Sequence, residues 1–442
     1  MSTQINIGKK IAILDEGSSI TTDVSQINFT GTGITATASG NNVTVNVTGS
    51  SGVWGISNAS GVYTYYATLT LAMAAAVAGN TVELFADVTE ATSASPNLKP
   101  GVVINGNGHT YIHTSTTGDT FTLTTSGQYK IINLNIKRTV TTPTAAVIFG
   151  NTTAPFFQEY NVVLNGSYVE YTWTTSTGAI SLCASTNSCT YHFEGLNAVS
   201  NGSGYMLSCY GTIRNCRLEN TSTGGCITTT NVGSTNTLED LHLKTVSGAC
   251  LFMNYGSNSI RNSTAITTSG NAIAGQSGAS AYDCYAFSNT GRAFSGVSAF
   301  GCTGQTSTGN AYYQCNTYNC SGRSTTGYTI VPFFNLSDNY NGSFYSSGAS
   351  VAYSTSYTTN FYNSSIITDS GTAIVAGNAY SAIPTYINNF IKAGAAANFC
   401  ISTGAITVRY SGNQFSTATT PVTPATIQGI TNTSDNQGNI LI

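Results

Sequence analysis

A six-residue pattern of alternating apolar and polar positions recurs six times between residues 213 and 322. Its third position is Asn, Asp or Gly, and the flanking residues alternate with a period of two, which is typical of β-strands. The copies begin at Ile213, Leu238, Ile260, Ala281, Ala299 and Thr317. Their third positions are separated by 25, 22, 21, 18 and 18 residues. This spacing is typical of a solenoid with one supersecondary unit per repeat.

The third position of each copy predicts a one-residue corner between two strands, because Asn, Asp and Gly tolerate a left-handed backbone. A second pattern, a glycine followed by a short apolar segment, recurs in step with the first. Its copies begin at Gly225, Gly248, Gly270, Gly291 and Gly309. Each glycine predicts a turn into a further short strand. Two or three short strands per coil, stacked about 4.8 Å apart, predict an all-β fold with a parallel β-helix.

Stacking the copies also predicts which residues share a column. The apolar positions on either side of the corner are expected to point inward, and they hold Ile213, Leu238, Ile260, Cys216, Leu241, Cys284, Cys302 and Cys320. The position just before the corner is expected to point outward, and it holds Arg214, Glu239, Arg261, Tyr282, Phe300 and Tyr318. Opposite charges and aromatic pairs on neighbouring strands are mildly stabilising. The resulting order of charges, repeated by Glu219 opposite Lys244, supports this register.

Further copies of the pattern occur at residues 131–136 and 193–198, and after Tyr328 once more at residues 361–366. Residues 140–190 follow it poorly and are predicted to carry longer excursions. Tyr168, Glu170, Tyr171 and Trp173 lie there, and we predict a lateral binding loop, with ordinary loop packing as the alternative. Residues 340–362 are rich in Tyr and Ser, which suits a surface that contacts sugars or another subunit.

Residues 1–50 are predicted to form a separate β module, since short alternating segments are separated there by glycine-containing turns. A unit of this size buries little core alone, so it is expected to need a partner. The segments Ile13-Leu14-Asp15-Glu16-Gly17 and Ile27 to Thr37 resemble a short N-terminal module of tailed-bacteriophage structural proteins, especially fibres and spikes. The resemblance implies attachment to other virion proteins through residues 1–50.

The next segment is predicted to contain a short helix capped by Thr68 and running from Leu69 to Ala78, with Leu69, Met73, Ala76 and Val77 on one face. Gly79-Asn80 ends it, and strands follow at residues 81–85 and 102–108. This order resembles the opening of pectin-lyase-like right-handed β-helices and of phage tailspikes, in which the helix covers the first coil. The resemblance implies a homotrimer and extends over about three-quarters of the chain.

These patterns divide the chain into four parts. Residues 1–50 are the expected attachment module, 51–99 a hinge and capping helix, 100–398 the β-helix body, and 399–442 a C-terminal segment that closes the rod and contacts the other chains. The chain ends on Ile440-Leu441-Ile442, and this apolar terminus is expected to be buried along the rod or at a subunit interface.

Composition narrows the classes of function. Only 7% of the 442 residues are charged, far below the usual quarter, and the net charge of −3 gives no basic footprint for nucleic acid. The longest apolar run, Leu69 to Ala78, is about half a membrane span, so no membrane insertion is expected. The start carries no export signal, which predicts folding in a reducing cytoplasm. The 11 cysteines lack zinc-type spacing, so buried thiols are expected, with no metal or other cofactor.

Candidate chemistry is sparse. The chain has no P-loop, dinucleotide fingerprint, GxSxG or HExxH motif. Glycan cleavage would need two carboxylates facing one groove, about 5–9.5 Å apart. The acidic residues considered were Glu170, Glu194, Glu219, Glu239, Asp240, Asp283 and Asp338. Glu239 is expected to be held by arginines on both sides, Arg214 and Arg261, and Glu219 by Lys244, while Asp240 and Asp283 hold corners. Glu170 and Glu194 therefore remain as the catalytic candidates.

The resemblance implies a non-enzymatic virion protein, namely a trimeric fibre, spike or decoration protein that adheres to the host surface, with a surface glycan as the expected receptor. Two alternatives stay open. One is a tailspike depolymerase that cleaves a host surface polysaccharide. The other is a cell-surface β-helical adhesin, which the missing export signal disfavours.

Overall fold

The computed structural model describes residues 5–441 with gaps. It leaves out residues 16–17, 28–33, 40–41, 48–51, 59, 92–95, 115–118, 124, 126, 141–146, 151–159, 166–167, 174–180, 184–189, 230–235, 255–257, 277, 332–335, 349–350, 355–357, 371, 377–384, 395–400, 403–408, 418–426 and 429–439. In residues 5–47, 139–191 and 417–441 it describes the backbone alone.

The described chain begins with two antiparallel hairpins and the cap of a solenoid. The hairpins consist of β1 (Ile5–Asp15), β2 (Ser18–Ile27), β3 (Ile34–Ser39) and β4 (Asn42–Val47). The cap consists of β5 (Trp54–Ser57), β6 (Tyr63–Tyr66), α1 (Leu69–Ala75) and β7 (Thr81–Leu84).

Short strands follow as far as the chain is described. Those before residue 215 are β8 (Val88–Glu90), β9 (Asn97–Leu98), β10 (Val103–Asn105), β11 (Thr110–His113), β12 (Phe121–Leu123), β13 (Gly127–Ile132), β14 (Asn135–Val140), β15 (Val147–Gly150), β16 (Tyr160–Asn165), β17 (Tyr168–Trp173), β18 (Ser181–Cys183), β19 (Thr190–Glu194), β20 (Asn197–Ser200) and β21 (Leu207–Arg214). The next are β22 (Arg217–Asn220), β23 (Ile227–Thr229), β24 (Thr237–Glu239), β25 (His242–Thr245), β26 (Leu251–Met253), β27 (Ser259–Arg261), β28 (Thr264–Thr267), β29 (Ile273–Gly275), β30 (Ser280–Tyr282), β31 (Tyr285–Ser288), β32 (Arg292–Ser295), β33 (Ser298–Phe300), β34 (Thr303–Thr306), β35 (Asn310–Tyr313), β36 (Asn316–Tyr318) and β37 (Ser321–Ser324). The last are β38 (Ile330–Val331), β39 (Leu336–Tyr340), β40 (Ser343–Ser346), β41 (Ala352–Ser354), β42 (Thr358–Tyr362), β43 (Ser365–Thr368), β44 (Ile374–Ala376), β45 (Thr385–Ile387), β46 (Phe390–Ala393), β47 (Ile401–Ser402), β48 (Arg409–Ser411), β49 (Gln414–Thr417), β50 (Ile427–Gln428) and β51 (Ile440–Leu441).

Parallel ladders join these strands into three faces. The first face runs in order through β7, β10, β13, β16, β19, β21, β24, β27, β30, β33, β36, β39, β42, β45 and β48. The second face runs through β8, β11, β14, β17, β20, β22, β25, β28, β31, β34, β37, β40, β43, β46, β49 and β51. The third face contains β9, β12, β15 and β18, and then β21, β23, β26, β29, β32, β35, β38, β41, β44, β47 and β50. The expected all-β fold with a parallel β-helix, a small N-terminal β unit and a short capping helix is confirmed.

One-residue corners join the first face to the second. Their backbone φ lies between 48° and 64° at every predicted corner, namely Asn215, Asp240, Asn262, Asp283, Gly301 and Asn319. The same conformation occurs at Asn133, Gly195 and Asn363. It also occurs at Asn341, Asn388 and Gly412, so the prediction of a single return of the pattern after Tyr328 is wrong.

The predicted register is confirmed. Arg214 pairs with Glu239, which pairs with Arg261, and the same column continues through Tyr282, Phe300 and Tyr318. The residues expected to point inward are all at most 3% exposed. The core is therefore a continuous apolar column inside the three faces.

A column of glycines forms where the second face turns into the third. It runs through Gly224, Gly248, Gly270, Gly291, Gly309 and Gly327. A Cβ atom on any of the last five would lie 1.5–2.3 Å from the carbonyl oxygen of the glycine one coil before. The close approach of successive backbones therefore requires glycine at this turn. In the first of these coils the stacked residue is Gly224 rather than the expected Gly225.

Helix α1 is shorter than predicted. The Thr68 side chain accepts a hydrogen bond from the Leu71 amide at 3.3 Å, as expected for the cap. The helix ends at Ala75, and Ala76 is already extended. Lys99 Nζ donates to the carbonyl oxygens of Ala74 and Ala76 at 2.7 and 2.8 Å, which satisfies the end of the helix.

The predicted inner face of α1 is only partly correct. Leu69, Met73 and Ala76 are buried, but Val77 is 63% exposed. The reason is the extended backbone at Ala76, which ends the helical spacing one residue before Val77.

The described strands within residues 140–190 bear on the predicted lateral loop; the predicted longer excursions lie outside the described residues. Their strands β16 and β17 pair in register with the coils before and after them. Tyr168, Glu170, Tyr171 and Trp173 therefore belong to a regular strand of the second face, and their prediction as part of a lateral loop is wrong. The ladders also continue past residue 399 through β48 and β49.

A buried carboxylate ties the cap to the first coil. Glu90 Oε1 accepts hydrogen bonds from Trp54 Nε1 at 2.7 Å and from the Leu69 amide at 2.9 Å. Tyr111 Oη lies 3.4 Å from Glu90 Oε2. Burial raises the pKa of Glu90 above its ordinary value of 4.5, and the three hydrogen bonds oppose this shift. His113 is the strand partner of Glu90 in β11.

The corner conformation leads to a first prediction. Asn262→Ala should lower the free energy of unfolding by about 1 kcal/mol, because an alanine at φ 48° has no side-chain polar group to offset the strain. Asn262→Gly should stay close to the parent protein. Urea unfolding at equal protein concentration measures both. Equal midpoints for the two variants would contradict this account of the corner.

A second prediction concerns Glu90. Glu90→Gln keeps an acceptor oxygen for Trp54 and Leu69 but removes the charge. Because the folded pKa is raised, the contribution of the carboxyl group to stability is fully present below its unfolded pKa and is lost as the pH rises through the folded pKa. We expect the melting temperature of the parent, relative to that of the Gln variant, to fall as the pH rises above the ordinary pKa of 4.5.

Scanning calorimetry at a series of pH values on both sides of this ordinary pKa measures the difference. A difference that does not change with pH would show that Glu90 is not buried in the way described.

Candidate functional site

An aromatic column stands on the outside of the solenoid, one residue before the corners. It consists of Tyr282, Phe300, Tyr318, Tyr340 and Tyr362, all partly exposed. Successive ring centroids are 4.6–5.3 Å apart, with planes within 7–11° of parallel. The parallel ladder of the first face produces this stack, because equivalent positions in consecutive coils lie directly above one another.

The faces of these rings are covered by neighbouring rings and, at one end, by Arg261. The Arg261 guanidinium lies 4.5 Å from the ring centroid of Tyr282 at one end of the column. Tyr362 pairs in register with Ile387 at the other end. The column therefore presents ring edges and tyrosine hydroxyls to the outside, rather than open aromatic faces.

Asp338 lies in the same strand as Tyr340, two residues away and on the same side of β39. Its Oδ1 accepts a hydrogen bond from Asn360 Nδ2 at 2.9 Å, and its amide donates to Asn316 Oδ1 at 3.0 Å. Burial and the nearby Asp338 carboxylate raise the pKa of Tyr340 and of Tyr362. Both phenols are therefore protonated at neutral pH and are available as hydrogen-bond donors.

The corner itself carries a ladder of exposed amides. Asn341 Nδ2 donates to Asn319 Oδ1 at 3.1 Å, and Asn363 Nδ2 donates to Asn341 Oδ1 at 3.3 Å. Beyond the corner, the second face presents a hydroxyl column of Tyr285, Thr303, Ser321, Ser343 and Ser365. We name the aromatic column, the amide ladder and the hydroxyl column together the corner surface. Its hydrogen-bonding groups are uncharged.

Two ion pairs lie on the coils next to the corner surface. Arg214 Nε lies 3.3 Å from Glu239 Oε2, and Lys244 Nζ lies 2.7 Å from Glu219 Oε1, as predicted. The expectation that arginines hold Glu239 from both sides needs correction, because the Arg261 guanidinium lies over Tyr282.

The two catalytic candidates lie on different faces of the solenoid. Glu194 is exposed at the end of β19 on the first face, and Glu170 lies in β17 on the second. Glu194 was expected to have no partner, but its Oε2 lies 3.4 Å from His192 Nε2, and its strand neighbour is Arg214. The side chains of Glu170, Tyr168, Tyr171 and Trp173 fall outside the described residues, so their roles remain predictions.

The cysteines of the described coils are buried. None of the seven takes part in a disulfide, and they include the predicted inward column of Cys216, Cys284, Cys302 and Cys320. Burial raises the pKa of Cys250 to about 11 and that of Cys315 to about 12, so these thiols stay protonated. Across the residues that the structure describes, no three His, Cys, Asp or Glu side chains form a group that could hold a metal ion.

The described part of the chain contains no helix long and apolar enough to cross a membrane.

Comparisons with known proteins give one structural similarity. No family model and no curated protein matches the sequence. Among solved structures, the chain is similar to the A-module of mannuronan C-5 epimerase AlgE6 from Azotobacter vinelandii. The match has 11% sequence identity and a TM-score of 0.28, and it covers 84% of this chain and 93% of the other. At this level of similarity the match carries no argument about fold or activity.

Proposed function

We propose that this protein is a virion adhesion protein of a tailed bacteriophage, a fibre, spike or decoration protein whose β-helical rod binds a host surface polysaccharide along the corner surface. The observation that carries the binding proposal is the continuity of this surface over successive coils. Tyrosine hydroxyls, side-chain amides and Ser or Thr hydroxyls run side by side from Tyr282 to Ser365. These groups both donate and accept hydrogen bonds, which suits the hydroxyl groups of a sugar chain.

The stacked rings favour an extended ligand. Because each ring covers its neighbour, a sugar meets hydroxyls and edges at regular intervals instead of one aromatic platform. A polymer lying along the rod axis contacts several such groups at once, whereas a monosaccharide contacts few. Many weak contacts then add up to a useful affinity.

The virion part of the proposal comes from the sequence. The resemblance of residues 13–37 to an N-terminal module of phage fibres and spikes supports attachment to other virion proteins through residues 1–50. The tailspike-like order of the cap supports a homotrimer. We place the protein in the virion on this basis, after synthesis in the host cytoplasm.

Cleavage of the bound polysaccharide is the second candidate function. Asp338 favours it, because this carboxylate lies beside the protonated phenols of Tyr340 and Tyr362. Binding alone is preferred, because hydrolysis needs a second carboxyl group. The hydrogen-bonded neighbours of Asp338 in the adjoining coils are the amides of Asn316 and Asn360.

The binding proposal predicts the effect of removing two hydroxyls. Tyr340→Phe combined with Tyr362→Phe preserves the ring stack, and we expect it to weaken polysaccharide binding about tenfold, since each lost hydrogen bond costs about 0.5–1.5 kcal/mol. An array of bacterial capsular and lipopolysaccharide glycans identifies the ligand, and titration calorimetry measures its affinity. Tyr313→Phe, on the third face, is the matched control and should bind like the parent.

Two outcomes would contradict this proposal, namely that the parent binds no glycan of the array or that the double variant binds as tightly as the parent. A reducing-end assay on the bound glycan separates binding from cleavage. Release of reducing ends by the parent, abolished in Asp338→Asn, would favour the depolymerase; loss on Glu170→Gln or Glu194→Gln would instead place cleavage at the predicted catalytic candidates.

The assembly proposal predicts the mass of the particle in solution. The full-length chain should sediment as a homotrimer, with no change when the protein is diluted across the micromolar range. Sedimentation velocity gives the answer directly. A soluble, stable monomer at every concentration would rule out the trimer.

A further inference from the structure

Asp338 stands beside a surface whose own hydrogen-bonding groups are uncharged. It lies in β39, two residues before Tyr340, and its partner in the next coil is Asn360. Asn360 in turn lies two residues before Tyr362 in β42. Residues two apart in a strand lie on the same face of a sheet. The carboxylate therefore belongs to the column next to the aromatic one, level with the last two tyrosines of the corner surface.

The fold does not require a carboxylate at position 338. The equivalent positions one coil before and one coil after it hold Asn316 and Asn360. Asn316 Oδ1 accepts a hydrogen bond from the Asp338 amide at 3.0 Å, and Asp338 Oδ1 accepts one from Asn360 Nδ2 at 2.9 Å. An asparagine at position 338 would offer the same acceptor oxygen. The negative charge is thus an addition to this column rather than part of its hydrogen bonding.

The charge of Asp338 is not neutralised by an ion pair. In an earlier coil, Glu239 of the first face pairs with Arg214. None of the ion pairs among the described residues includes Asp338. Its hydrogen-bonded neighbours in the adjoining coils are amides, which carry no charge. The field of the carboxylate therefore extends over the surface beside it.

This field reaches the tyrosine hydroxyls of the corner surface. Burial and the nearby Asp338 carboxylate together raise the pKa of Tyr340 and of Tyr362, so a negative charge on either phenol oxygen is disfavoured. A carboxylate or phosphate group of a sugar chain that binds these hydroxyls would lie in the same field. It would meet the same repulsion.

The basic side chains that flank the corner surface lie against aromatic rings. The Arg261 guanidinium is 4.5 Å from the ring centroid of Tyr282, and that of Arg323 is 5.3 Å from the ring centroid of Tyr345. Their charges therefore stay at the margins of the surface. A second carboxylate, Asp283, occupies the exposed corner of the coil that contains Tyr282. An acidic polymer that lies along these coils would meet two carboxylates.

We propose that the corner surface selects an uncharged polysaccharide and rejects acidic ones, and that Asp338 is a determinant of this selectivity. The inference deepens the proposed glycan binding and rests on it. Specificity of this kind comes from repulsion of the wrong ligand as well as from attraction of the right one. Two like charges about 7 Å apart in water weaken binding about threefold, so two carboxylates along the surface weaken it about tenfold.

A comparison of uncharged and acidic glycans tests the selectivity. The members of the array of bacterial capsular and lipopolysaccharide glycans are divided into uncharged glycans and glycans with uronic acid or phosphate. We expect the parent protein to bind most strongly to an uncharged member. The primary hydroxyls of that member are then oxidised to carboxylates, and titration calorimetry compares the two forms. At low salt the oxidised form should bind about tenfold more weakly.

The salt dependence of this ratio shows whether charge is responsible. The Debye length falls from about 30 Å at 0.01 M salt to about 3 Å at 1 M. The ratio of the two affinities should therefore approach one as the salt concentration rises over this range. The salt series uses the parent protein alone, so it decides the question even if a variant fails to fold. A ratio that does not change with salt would overturn the electrostatic selectivity.

Asp338→Asn isolates the contribution of this residue. We expect the ratio of the two affinities at low salt to fall about threefold in this variant. Asp369→Asn is the matched control, because Asp369 is exposed on another part of the rod and accepts a hydrogen bond from Tyr345 of the second face. Its ratio should equal that of the parent. An unchanged ratio in Asp338→Asn would overturn the role of Asp338.

The array also separates this inference from the proposed function. Strongest binding to an acidic glycan, weakened when its carboxyl groups are reduced to alcohols, would overturn the selectivity and leave glycan binding intact. Binding to no glycan of the array would instead overturn the proposed function, and this inference with it.

Discussion

The structure depends on one constraint, which is that every coil must return to a position one strand spacing from the coil before it. Parallel ladders on three faces enforce this spacing, and the turns must then repeat the same backbone path. A left-handed residue meets the requirement at the first corner, and glycine meets it where Gly270 approaches the Gly248 carbonyl. Side chains at equivalent positions are consequently forced into contact. The ion pair of Arg214 with Glu239, the ring stack and the amide ladder all follow from this single requirement.

The sequence was sufficient to predict the fold wherever a column is chemically uniform. The apolar inward residues and the Asn or Asp corners between residues 213 and 322 predicted the correct register. The coils with corners at Asn388 and Gly412 were missed because the inward residue after each corner is polar. Asn389 and Asn413 are buried, and their polar groups bond along the axis, with the Asn389 amide donating to Asn413 Oδ1 at 2.9 Å. Hydrogen bonding between coils thus replaces apolar packing there, and a search for apolar periodicity overlooks it.

The candidate site was less accessible to sequence reasoning than the fold. The local excess of Tyr and Ser in residues 340–362 indicated a possible binding surface. The contact between Asp338 and Asn360 could not be predicted in this way, because it joins residues 22 positions apart. The proximity of His192 to Glu194 was detectable, because the two lie two residues apart on one side of a strand. The orientation of Arg261 could not be predicted from the sequence. An arginine between a glutamate and a tyrosine has an attractive neighbour on each side, and packing decides between them.

The aromatic column has a further physical consequence. Neighbouring aromatic residues of the column are related by almost pure translation along the rod, as their nearly parallel rings show. A linear molecule whose own repeat matches the coil spacing would find an equivalent environment after each step, and could slide without losing contacts. Two residues, one in the column and one beside it, break this translational symmetry. Phe300 lacks the hydroxyl of its neighbours, and the carboxylate of Asp338 stands beside only one stretch of the column. These two residues therefore make the positions along the column chemically distinguishable.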